Sequence, residues 1–256
     1  MSYPDHVIPP KDRLIVALDV PTKEEALALV NALSPLVSFY KVGWELFLAA
    51  GPDIVRTLKA KNLQVFLDLK MQEDVDQTIS RYIQVVVREG VDFVTLHGNG
   101  RIFRVAKRAK GEAPVKLLAL TLLSSLDEAD MRDNYLLYNG STYSFPFQRA
   151  EEYVCWRADT AVQAGCDGLI ASGQFVRLLH DRFRDRTPPP LLVVPGIRLE
   201  GAPRDEHKHT LTPRDAIAGG ADYLVVGRPI TQAATPREAA QAIIDEIAAE
   251  SARLAV

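Results

Sequence analysis

The stretch QVFLDLKMQEDVDQT, Gln64 to Thr78, begins as an apolar run and ends in charge. Gln64–Leu69 has the continuous apolar character of a strand covered on both faces, which is the signature of parallel sheet. From Asp68 to Asp76 the chain then places an acid, a base and three more acids within nine residues. Seven further runs share the apolar character of the first: Leu14–Val20, Phe39–Gly43, Phe93–His97, Lys116–Leu122, Gly168–Ala171, Leu191–Val194 and Tyr223–Val226. Helical patterns lie between them. Lys23–Leu33 follows a Pro21-Thr22 cap, Asp74–Glu89 carries Ile79, Ile83, Val86 and Val87 on one side, and Arg149–Ala164 and Pro236–Leu254 are longer and well periodic. About eight β-then-α units in 256 residues predict an α/β fold, a single-domain (β/α)8 TIM barrel over residues 1–256. A doubly wound open sheet is the competing layout.

The totals narrow the function. Thirty Lys+Arg against 33 Asp+Glu leave a net charge of −3, without the basic excess that nucleic-acid binding favours. The two cysteines, Cys155 and Cys166, show neither CxxC spacing nor a Cys/His cluster, so they read as buried small residues. No apolar run is long enough for a membrane span, and the N-terminal MSYPDHVIPPKDR lacks the apolar region of a signal peptide. A cytoplasmic protein is the expectation. Two segments read as long loops, Asp133–Gln148 and Leu199–Pro213; residues 199–212 are expected to form a mobile phosphate-gripping loop.

In a barrel of this kind chemistry gathers where the strands end. The first run reaches Asp19, the second holds Lys41, the third ends in Asp68 and Lys70, the fourth in His97, and the fifth near Ser124. Asp68 and Lys70 are two apart and share a strand face, with Lys41 on the neighbouring strand and an acid at Glu73 or Asp74 available to extend a Lys-Asp-Lys-acid arrangement. The alternatives are an ion pair that plugs the barrel end, and first-turn acids that favour a helix N-terminus. The last two strands run into Gly196-Ile197-Arg198 and Gly227-Arg228. Glycine admits an anion close to the backbone and arginine supplies a charge-assisted fork, so these two points suit a phosphate. Otherwise they are tight turns with solvated arginines.

Taken together, LIVALDV, YKVGWELF, VFLDLK, VTLHGNG, LTLLSS, VVPGIR and YLVVGRPI occur in the order found in the orotidine 5′-phosphate decarboxylase family, which the chain resembles over nearly its whole length. The resemblance implies a (β/α)8 barrel acting as a homodimer with shared active sites, on a nucleotide substrate, orotidylate giving UMP, without metal or organic cofactor and without nucleic-acid or membrane partners. It also implies roles. Lys41, Asp68 and Lys70 match a charged network in which Lys70 protonates C6 of the pyrimidine. Asp19 holds the ribose hydroxyls, Ser124 lies near the base, and Arg198, Gly227 and Arg228 grip the phosphate. The family pattern D-x-K-x-x-D-I-P-N-T is altered here. With one inserted residue, Asp74 takes the second aspartate's place and Thr78 the threonine's, both reaching the partner subunit's site; without a gap, Glu73 does. His207 falls where the family has a ligand-contacting Gln. Competing readings are a Mg-dependent sugar-phosphate decarboxylase or aldolase of the same superfamily, and a nucleotide-binding barrel that has lost catalysis.

Overall fold

The buried runs pair with their sequence neighbours all the way round. β1 (Leu14–Ala17), β2 (Phe39–Val42), β3 (Gln64–Met71), β4 (Phe93–Leu96), β5 (Lys116–Leu120), β6 (Gly168–Ile170), β7 (Leu191–Pro195) and β8 (Tyr223–Val226) are all parallel, and β8 returns to β1, closing the barrel. Closure excludes the open sheet. The computed structural model describes residues 8–255 apart from 143 and 200–209. Helices follow each strand: α1 (Lys23–Leu33), α2 (Trp44–Ala50) and α3 (Asp53–Ala60), α4 (Asp76–Arg88), α5 (Gly100–Lys110), α6 (Glu128–Asp133) and α7 (Ala150–Gln163), α8 (Val176–Phe183), α9 (Pro213–Ala218), and α10 (Arg228–Thr231) and α11 (Pro236–Leu254). The expected bounds of α1 and α11 are met. Thr22 caps α1 by accepting the Glu25 N–H at 3.2 Å. α4 starts at Asp76 rather than Asp74, because the Glu73 carboxylate accepts the Asp74 and Val75 N–H groups at 2.8 and 3.1 Å and holds those residues in a turn.

Strand residues alternate between two apolar clusters. Leu14, Val16, Tyr40, Val42, Val65 and Leu67 face the helices. Ile15, Ala17, Phe39, Phe66, Phe93, Leu118, Leu120, Ile170, Val193 and Val225 fill the barrel interior. Phe93 packs edge-on to Phe39 at 4.9 Å and to Tyr223 at 5.0 Å between ring centroids, and these rings close the N-terminal end. The same alternation, continued one step along each strand, turns Asp19, Lys41, Asp68 and Thr95 inward above the plug.

Three Gly-x-Asp triplets support the barrel from below: Gly90-Val91-Asp92, Gly165-Cys166-Asp167 and Gly220-Ala221-Asp222. Each glycine ends a helix with positive φ, and each aspartate immediately precedes an even-numbered strand. The aspartate grips the preceding strand twice. Its N–H donates to Val65, Leu117 or Leu192 O at 3.0, 2.9 and 2.8 Å. Its carboxylate accepts the N–H of the same residue at 2.8, 2.9 and 2.7 Å. Lys59 pairs with Asp92 at 2.6 Å and Lys110 with Asp167 at 2.7 Å. Arg13 instead holds the Asp222 and Ala221 carbonyls and reaches Ser251 of α11 at 2.9 Å. The loop expected over Asp133–Gln148 follows α6 and is pinned by Arg132, which donates to Tyr138 O at 2.7 Å and Gln148 O at 3.1 Å.

Candidate active site

At the C-terminal mouth the strand ends surround a cavity of about 710 Å³. Asp19, Lys41, Asp68, Lys70, Ser124, Arg198, Gly227 and Arg228 all line it. Asp74 and Thr78 do not; both are exposed, and in this chain they lie outside the pocket. His207, and most of the loop read over 199–212, lies outside the described residues. The loop's two ends meet: Ile197 bridges Leu211, with Arg198 N–H donating to Leu211 O at 2.9 Å.

The charged residues form a chain of contacts. Lys41 Nζ lies 2.9 Å from Asp19 Oδ1 and 3.6 Å from Asp68 Oδ2. Lys70 Nζ lies 3.0 Å from the same Asp68 Oδ2, while Thr95 donates to Asp68 Oδ1 at 2.7 Å. Asp68 and Lys41 are buried; the Lys70 side chain is 39% exposed, which leaves its ammonium facing the cavity. Burial works to raise the Asp68 carboxyl, but Lys41, Lys70 and the Thr95 hydrogen bond outweigh it and hold the group below its ordinary value. Burial likewise works to lower Lys41, and the Asp68 and Asp19 charges overcome it, so this ammonium is held above its ordinary value. Both groups are therefore charged through the neutral range.

β3 does not reach this geometry by simple alternation. Leu67 is level with Val94 and Met71 with Leu96, so the ladder slips between them and the strand bulges. Lys70 sits in that bulge with φ of 45°, a left-handed conformation that a non-glycine residue adopts at a cost. The two-residue spacing correctly predicts that Asp68 and Lys70 meet. It carries no sign of the bulge that aims the amine.

Sequence reasoning missed Thr95, an inward residue of β4 whose value lies only in its hydrogen bond to Asp68. It also missed Gly43. A Cβ there would stand 2.9 Å from Asp19 Oδ1 and 3.1 Å from Lys41 Nζ. The position holds no side chain because the ion pair fills the space. His97 is half-buried and absent from the pocket lining; burial, then Arg157 and Lys70, push its imidazole below the usual value. Arg198 is buried, and Gly196 before it takes φ of 79°, turning the chain so that Arg198 returns to the cavity. Cys166 is buried and Cys155 half-buried, both as free thiols. Among the described residues no three His, Cys, Asp or Glu side chains are grouped to hold a metal, and no helix is long and apolar enough to cross a membrane.

Residues 12–243 match the model of the family described as orotidine 5′-phosphate decarboxylase / HUMPS. The chain is 47% identical over 237 residues to an orotidine 5′-phosphate decarboxylase of Methylococcus capsulatus, covering 91% of each chain. It is 40% identical over 238 residues to one of Rhodopseudomonas palustris, covering 93% of this chain and 95% of that one. A crystal structure of orotidine 5′-phosphate decarboxylase from Lactobacillus acidophilus superposes with a TM-score of 0.76 at 32% identity, covering 92% of this chain and 99% of the other.

Proposed function

The chain belongs to the orotidine 5′-phosphate decarboxylase / HUMPS family, and we propose that it decarboxylates orotidine 5′-phosphate to UMP in pyrimidine biosynthesis. The observation that carries this reading is the Lys41–Asp68–Lys70 chain at 3.6 and 3.0 Å in the wall of the cavity. Loss of CO2 breaks the C6–carboxylate bond and leaves an electron pair on C6. A fixed ammonium aimed at that carbon stabilises the charge better than water does, because it needs no reorganisation. Lys70 then donates its proton to C6 and recovers one from solvent. Asp68, close to the departing carboxylate, directs the Lys70 amine, and Lys41 behind it holds Asp68 in place. Asp19 takes the ribose hydroxyls, Ser124 the base, and Arg198, Gly227 and Arg228 the phosphate. Gripping a group remote from C6 supplies binding energy for closure around the base.

The Mg-dependent superfamily reading needs a cation between carboxylates at the mouth. Here the Lys41 ammonium already occupies the space between Asp19 and Asp68. We propose a homodimer in which the exposed Asp74 and Thr78 enter the partner's site, acting in the cytoplasm.

The test is direct. The wild-type chain, in EDTA, should consume orotidylate, seen as loss of the orotate absorbance. Lys70→Ala and Asp74→Asn should each be inactive alone and regain activity when mixed, since a mixed dimer carries one intact site. Metal-dependent turnover would favour the Mg-dependent reading, and binding of UMP with no turnover would favour a non-catalytic barrel. A crippled Glu73→Gln beside a normal Asp74→Asn would assign the second acid to Glu73.

A further inference from the structure

Arg157 lies in the middle of α7, on the face it shares with Val154, Ala158 and Ala161, all buried. A guanidinium is out of place in such company, since a buried cation without a counter-charge is costly. Among the described residues no carboxylate pairs with it. Its Nη1 donates to Gly98 O, its Nη2 donates to Leu120 O at 3.0 Å, and its Nε has no acceptor. Burial pushes the group below the usual arginine value.

The two carbonyls locate its role. The β4–β5 ladder ends at Leu96 and Ala119. Leu120 follows Ala119 and ends β5, and Gly98 lies two residues past Leu96, just beyond β4. Beyond Leu120 the β5 chain continues with Leu122, Leu123 and Ser124, which line the pocket. β4 carries Thr95, whose hydroxyl anchors Asp68. A planar fork that spans both carbonyls joins these two strand ends past the point where the backbone joins them.

We propose that Arg157 is a positioning residue for the decarboxylation proposed above, on which this inference rests: its buried guanidinium ties the ends of β4 and β5 together and sets the Leu122–Ser124 wall against the strand that orients Asp68. It touches no substrate atom. Its effect is on geometry at C6, so it acts on turnover more than on binding through the ribose and phosphate. Misplacement on the ångström scale costs about tenfold to a hundredfold in rate.

Turnover of orotidylate and thermal melting would be measured on the full chain and on Arg157→Lys, Arg157→Met and Arg157→Ala. The inference expects Arg157→Ala and Arg157→Met to lose about tenfold to a hundredfold in kcat with KM changed far less. Arg157→Lys should remain impaired, since a single ammonium does not reproduce the fork. Guanidinium ion at low concentration, against potassium at equal ionic strength, should restore turnover to Arg157→Ala, where it has room, and leave Arg157→Met unchanged. A folded Arg157→Met with wild-type kcat and KM overturns the inference. So does a loss in all three variants that follows melting temperature alone and does not respond to guanidinium. A wild-type chain with no turnover overturns the decarboxylase reading and this inference with it; variants that match an active wild type overturn this inference alone.

Discussion

Asp167 at the bottom of the barrel and Asp68 at its mouth each accept a lysine ammonium, at 2.7 and 3.0 Å. Their other partners differ. Asp167 also accepts the Leu117 N–H, so its charge holds one strand to the next. Among the described residues Asp68 is held by side chains alone: it accepts from Thr95 and Lys70 and pairs with Lys41. An ion pair anchored to backbone is part of the frame, whereas one made of side chains alone can be turned to a ligand without loosening a strand. The backbone conformations show the same contrast. The bottom triplets place glycine where φ is positive, while at the mouth the positive φ of 45° falls on Lys70. Strain of that kind persists where the surrounding structure over-determines it, and it clusters at functional sites.

The largest effect should come from Lys70→Gly. It removes the ammonium and gives the bulge a residue suited to its conformation. Orotidylate turnover should fall by about four orders of magnitude or more, combining lost proton transfer and lost charge stabilisation. The melting temperature should hold or rise, because a non-glycine residue in this conformation costs about 1–2 kcal/mol. A clear drop in melting temperature would mean that the mouth supports the fold as the bottom does.

Next comes a matched pair. Asp68→Asn should lose about a hundredfold or more in kcat and cost less stability than the bottom variant, since Lys41 keeps Asp19 as a counter-charge and the amide oxygen can still accept the Thr95 hydroxyl. Asp167→Ala should cost about 3–5 kcal/mol, leaving a buried Lys110 unpaired and the Leu117 N–H without its carboxylate, while a folded fraction keeps near-normal turnover. Denaturant melts beside active-site-normalised rates read both, and equal behaviour of the two variants would erase the distinction. Gly43→Ala should do less. Its φ of −97° suits alanine, but the added methyl pushes on the Asp19–Lys41 pair, so KM should rise about tenfold, equivalent to about 1.4 kcal/mol, with melting nearly unchanged.

The smallest effect separates the two ends by pH. Burial raises Asp222 above its ordinary value, against the opposing Leu192 N–H and Arg13. Its folded pKa thus exceeds the unfolded value of about 3.9. Its contribution to stability is fully present below that pH and is lost as pH rises through the folded value. Asp222→Asn, whose amide oxygen still accepts the Leu192 N–H, should therefore be neutral to stabilising at pH 7, by about 1 kcal/mol or less, with the difference shrinking toward pH 4. Asp68 has the opposite sign. Its depressed value makes its contribution present above about pH 3.9 and lost only as pH falls through the folded value. Melting temperature against pH for both Asn variants gives the two slopes.

Much of this was legible in the chain alone. Continuous apolar runs mark strands buried on both faces, and period-two alternation from Ile15 through Ala17 to Asp19, or from Phe39 to Lys41, already aims those charges inward. Local pattern suffices there, because strand geometry is local. Charge at successive strand ends, and Gly-Arg after the last two, follow in the same way. What the sequence did not contain is everything that depends on register between strands. The slip between Leu67 and Met71 that places Lys70, the Thr95 hydroxyl on Asp68, the space that Gly43 leaves for an ion pair, and the fork of Arg157 across two carbonyls join residues from different elements. Only closure of the barrel decides which of them meet, since side-chain contact across strands is set by the pairing of whole backbones and by no residue's own neighbours along the chain.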